Sequence, residues 1–199
     1  MNWKKLLIIG LIAYGAYHTW HGRSVSYGPG VVAANDPMQE SASGAVNIEK
    51  SGYQLSPLAK FHVEARVLST EHYSLGREAD LAQVDLALGW GRMSDEAILK
   101  HISISQSGRF YFWRTDEFRI PREEIETHSA NMHMIAADRN VEKTLESIRP
   151  GQIVSFDGYL VEAQASDGWK WRSSLSRNDT GNGACELVLV KSIYARSVK

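Results

Sequence analysis

The chain has one cysteine, Cys185, in 199 residues. No disulfide can form within it, so the fold must be held by packing rather than by a covalent framework. Lysine and arginine (22) nearly cancel aspartate and glutamate (23), leaving a net charge of -1. Such a balance exerts no long-range pull on polyanions, and a general nucleic-acid binder is not expected. Three of the five prolines, Pro29, Pro37 and Pro57, fall in one early stretch. Long apolar runs are absent after the N-terminus, and no internal repeat is visible.

The one apolar run that is present extends from Leu6 to Tyr17, behind Lys4 and Lys5, with Trp3 and Trp20 bracketing it. As a helix, Trp3 to Trp20 would measure about 27 Å at about 1.5 Å per residue, close to a hydrocarbon core of about 30 Å. Interfacial tryptophans and preceding lysines predict an uncleaved signal-anchor, residues 1–20, with a cytoplasmic N-terminus and the remainder translocated. A cleaved signal peptide is the competing reading. However, the small pair Ala13 and Gly15 lies inside the run, and Ala33 and Ala34 lie far beyond it. The expected address is the inner membrane, single-pass, with the C-terminal part periplasmic.

Residues 21–57 are rich in Gly, Ser, Ala and Asn and read as a flexible linker. Residues 58–199 have room for one domain with an ordinary core. Phe61, Val63, Ala65 and Val67 alternate with His62, Glu64 and Arg66, the period of a half-buried strand. An apolar segment follows from Leu81 to Trp90, then a short helix with Ser94 as candidate N-cap. Ile102 to Trp113 reads as a hairpin around Gln106, Ser107 and Gly108. Asp138 should cap a helix whose stripe is Val141, Leu145 and Ile148, stopped by Pro150 and Gly151. Three strands close the chain: Gln152 to Ala163, Trp169 to Leu175 and Glu186 to Ala195. This order suits a mainly β (α+β) domain, a small antiparallel OB-like barrel with one or two short helices, because closure removes exposed edges. An SH3-like barrel or an open α+β sheet would give a similar pattern.

Few residue groups point to chemistry. His128 and His133, with Asn131 between them, are spaced by five, which suits neither a helix face nor a strand face for joint metal ligation. No metal or other cofactor is expected, and the histidines and Asn131 are kept as ligand-binding candidates. Asp179-Thr180-Gly181 matches the aspartic-protease tripeptide, but no second copy exists and the Gly- and Asn-rich surroundings read as a hairpin loop. Cys185 alternates with Leu187 and Leu189, as a small core residue would. Trp169, Trp171 and Arg172 form either part of the core or a stacking platform for a ligand.

Three segments resemble a family of uncharacterised bacterial proteins: Gly89 to Asp95, the run Ile125 to Ala137 around Thr127-His128-Ser129-Ala130-Asn131-Met132-His133, and Trp171 to Leu175 with Asp179 through Leu187. In that family they follow an N-terminal hydrophobic helix. The resemblance spans roughly Phe61 to Tyr194 and implies an envelope-facing bacterial protein without implying an activity. The expected function is a membrane-tethered extracytoplasmic binding or scaffold module for an envelope protein or glycan. The alternative is a metal-dependent or other hydrolase built from segments 125–137 and 178–185.

Overall fold

The computed structural model describes residues 6–9, 24–179, 181 and 184–196. The expected anchor lies outside the described residues apart from 6–9, which are helical. Among the described residues no helix is long and apolar enough to cross a membrane.

The domain is mainly β. Its spine is β3 (Tyr53–His72), 20 residues long, with the alternation Phe61, Val63, Ala65, Val67 facing one core. Two register shifts, at Pro57/Ala59 and Val67/Ser69, bend it, as bulges do. Pro57, taken from sequence as linker, sits at the first of these, where a missing N–H costs least. The bend lets β3 pair with β8 (Ile153–Ala165) over Tyr53 to Arg66 and with β4 (Val84–Gly89) over Arg66 to His72. Further pairings join β4 to β7 (Ser129–Ala136), β7 to β10 (Glu186–Arg196) and β10 to β8. Three short strands, β1 (Met38–Ser41), β2 (Ile48–Lys50) and β9 (Lys170–Arg172), add to this sheet.

Two features depart from the expected antiparallel barrel. The strand order runs open from β1 to β9, although β3 also pairs with β8. In addition, β7 and β10 run parallel. A parallel pair requires a long crossover, here supplied by α3 (Arg139–Ser147) and β8. Asp138 caps α3 by accepting from the N–H groups of Asn140 and Val141. Val141, Leu145 and Ile148 enter the core of Leu86, Leu88, Met132, Met134 and Phe156. The opposite sheet face carries a second cluster, with Leu55, Ile135, Val161 and Leu187 beneath Trp169 and Trp171. The hairpin of β5 (Ile102–Ser107) and β6 (Phe110–Thr115) forms a separate two-stranded sheet. It rests with α2 (Arg122–Thr127) on a third cluster around Met93, Ile120 and Ile125.

The stretch expected to be a flexible linker is tied down. β1, β2 and the start of β3 lie within it, and residues 24–33 form a strap across the short helix α1 (Glu96–Leu99). The Glu96 carboxylate accepts from Ser26 Oγ at 2.8 Å and from the Tyr27 and Gly28 N–H groups at 3.1 Å. Asp95, not Ser94, caps α1 through the Ala97 N–H, and it also accepts from the Gly30 N–H. Ser94 Oγ receives the N–H groups of Val32 and Ala33 instead. At the other end of the strap Gly151 has φ 86°, and any Cβ there would overlap the Val25 carbonyl.

Removing the Glu96 carboxylate should therefore free the strap and leave buried Arg66 short of one partner. Glu96→Ala is expected to cost about 1–3 kcal/mol, since unmet buried donors carry that penalty. Limited proteolysis should then cut within residues 24–33 before the domain melts. Unchanged resistance of that stretch would show that the strap is held by something else.

Candidate ligand groove

The site begins with a charge inside an apolar strand. Asp85 lies mid-β4, 0% exposed, on the face opposite Leu86 and Leu88. An isolated buried carboxylate is too costly to keep, so it must have partners. Two are present. Arg109 Nη1 donates to Oδ1 at 2.7 Å. His133, paired across the ladder with Asp85, brings Nδ1 within 2.9 Å of Oδ2, in ion-pair range though out of line for a hydrogen bond.

Arg109 reaches Asp85 because of the turn it occupies. Gly108 (φ 58°) and Arg109 (φ 71°) are both left-handed, the pattern of two-residue hairpin turns whose twist suits the flanking strands. The Arg109 N–H donates to the Tyr73 hydroxyl at 3.0 Å, and its guanidinium lies 3.7 Å from the centre of that ring. Asn131 completes the clamp by accepting from Gln106 Nε2 at 2.7 Å and donating to the Arg109 carbonyl at 3.0 Å. The first strand of the hairpin and its turn are thus fastened to β4 and β7 by buried polar groups.

Docking the hairpin leaves a groove of about 250 Å³ along β6. One wall is Phe110 to Trp113, the floor is Ser129 to Asn131, and the far wall is formed by Arg177, Asp179, Cys185 and Glu186. Tyr111 donates or accepts with Ser129 Oγ at 3.0 Å, and burial pushes its hydroxyl up to about 12. Asp179 accepts from Ser174 Oγ at 2.6 Å. Burial, with a smaller contribution from the Glu186 charge, pushes the Cys185 thiol up to about 11, so the sulfur is no ready nucleophile.

Glu186 is 1% exposed. Its Oε1 lies 3.1 Å from Arg177 Nε, while Oε2 and both Arg177 Nη atoms are buried with no protein partner among the described residues. Contact with a guanidinium favours the carboxylate form and burial favours the acid. Burial prevails, against Arg177 and helped by the Asp179 charge, and pushes the group up to about 8.

The residues singled out from sequence are scattered. Asp179 and Asn131 both line the groove. His133 is engaged with Asp85 and with Trp171, ring centres 4.8 Å apart. His128 ends α2, 3.6 Å from Asp36 and beside Trp90, so the two histidines serve different partners. Trp169 and Trp171 touch each other at 6.2 Å and cover their own sheet, with Arg77 over Trp169. Arg172 pairs with Glu162 at the surface. No group of three or more His, Cys, Asp or Glu is placed to hold a metal among the described residues. Sequence reasoning passed over Asp85, Arg177 and Glu186. The available signal was a lone charge inside or beside an apolar strand. Comparison with protein-family models, curated proteins and solved structures returned no match.

Glu186 binds its proton more tightly in the fold, at about 8, than at its ordinary value of 4.5. The folded state thus holds more protons than the unfolded one between those values, and stability falls as pH rises through that window, then levels. Glu186→Gln should flatten this slope and raise the melting temperature at pH 8. A variant with the wild-type slope would show that Glu186 is charged throughout.

Proposed function

We propose that this chain is a tethered, non-enzymatic binding module of the bacterial envelope, with its ligand seated in the groove along β6. The observation that carries this reading is the set of buried polar atoms left unmade in the groove wall, Glu186 Oε2 and Arg177 Nη1 and Nη2. Native proteins rarely leave such atoms unpaired, because each costs about 1–3 kcal/mol, and a bound group would supply the missing partners. Against a hydrolase stand the protonated Cys185 thiol and a His133 already engaged by Asp85. No nucleophile, base and orienting group come together among the described residues.

Architecture adds support by analogy. We read β3, β4, β7, β8 and β10, with α3 between the third and fourth of these in chain order, as a partly open OB-like barrel. Such barrels bind ligands on their second and third strands and adjoining loops. The groove adjoins β7 and the loop leading into β10. The tether rests on Lys4, Lys5, the apolar run and its bracketing tryptophans, which favour a single inner-membrane span with the domain outside the cytoplasm.

The reading is tested in intact cells with a photo-crosslinking amino acid placed at Phe112 and, as control, at Glu49. A discrete adduct from position 112 and none from 49 is expected. Absence of an adduct at 112, or a turnover activity lost on Cys185→Ala, would overturn it. For the tether, a reporter fused after Lys199 should be active only outside the cytoplasm, and a reporter active only in the cytoplasm would contradict it.

A further inference from the structure

We infer that the groove takes an extended, basic polypeptide segment, added as a strand along the free edge of β6. The inference deepens the binding-module reading and rests on it.

The groove follows a strand edge. It meets four consecutive β6 residues, Phe110 to Trp113. Side chains alternate across a strand, so a cavity touching consecutive residues runs along the backbone edge and not over one face. β6 pairs with β5 alone among the described residues. The two-residue turn makes Ser107 and Phe110 the first hydrogen-bonded pair, so the ladder's alternation turns the N–H and C=O groups of Tyr111 and Trp113 toward the open side. The floor also has an edge without a strand, because β10 joins β7 only from Met132 onward, leaving Ser129 to Asn131 unpaired on that side among the described residues.

The far wall offers the complementary chemistry. Among the described residues Glu186 Oε2 lacks a partner and the Arg177 Nη atoms lack acceptors. A peptide backbone presents both kinds of group at a strand's spacing, and main-chain bonding of this type is how sheet edges capture extended segments. Charge then selects the side chains. Glu126 and Asp179 line the groove as carboxylates against one base, Arg177, while Glu186 holds its proton through neutral pH. Phe110 and Phe112 stand exposed at its lip with ring centres 6.4 Å apart. Carboxylates beside aromatic faces favour lysine or arginine and disfavour nucleic acid.

The probe is a fluorescein-labelled octapeptide of alternating valine and lysine, titrated into the full-length protein in detergent and followed by anisotropy. Saturable binding is expected. It should weaken at least about tenfold when alternate backbone nitrogens are methylated, and to a similar extent when glutamate replaces lysine, since strand addition needs the N–H groups and the wall needs a cation. Asp179→Asn should weaken it a few-fold with an unchanged melting temperature. Equal binding of the methylated or the glutamate peptide overturns the inference. So does failure of every peptide, whether or not chitotetraose binds in its place. A cross-link from position 112 alongside that failure would remove the peptide while leaving the groove as the site, whereas loss of the cross-link would remove both.

Discussion

One buried carboxylate sets the geometry on which the groove depends. Asp85 occupies a strand whose every residue is buried, and its ionised form is tolerable there only with a cation against it. Arg109 meets that demand from the tip of the β5–β6 hairpin, at the cost of a left-handed backbone at a non-glycine residue, about 1–2 kcal/mol. His133 meets it from the neighbouring strand. The hairpin is thereby drawn onto β4 and β7 at one point. Asn131 and Ser129 hold the adjacent backbone and the Tyr111 hydroxyl, and the far edge of β6 is left without a strand partner among the described residues. A hydrophobic contact in place of this pair would allow the hairpin to slide; the paired charges admit one position.

The second constraint is the strap. Glu96, Asp95 and Ser94 are three consecutive residues whose side chains collect backbone N–H groups from residues 27–33. The chain that enters the domain is held along the β3 end that carries Arg66.

Several elements were legible in the sequence because their signals are local. The Asp138 cap and the 4-then-3 spacing of Val141, Leu145 and Ile148 describe α3 as it stands, and the alternation from Phe61 to Val67 describes the heart of β3. The hairpin was legible too, though its turn is Gly108-Arg109, one step later than Gln106 to Gly108, because Ser107 still pairs with Phe110. What was hidden is non-local. The strap looks like linker since its partners lie more than 60 residues away. The parallel β7–β10 pairing has no periodic signature. Asp85 lies inside the segment read as apolar, and its meaning depended on Arg109, 24 residues on. Asp179 and Asn131 could be nominated from loop and strand context, whereas Arg177 and Glu186 become notable only once burial and missing partners are known.

The Asp85 pair holds the hairpin in place and so creates the groove. Native-state hydrogen exchange of Asp85→Asn tests it most directly. Breaking a buried ion pair costs about 3–5 kcal/mol, and the account predicts that the loss falls on the hairpin, with amides of residues 102–115 losing protection while those of β3 and β8 keep theirs. Uniform loss across all three, or a hairpin as protected as before, would contradict it.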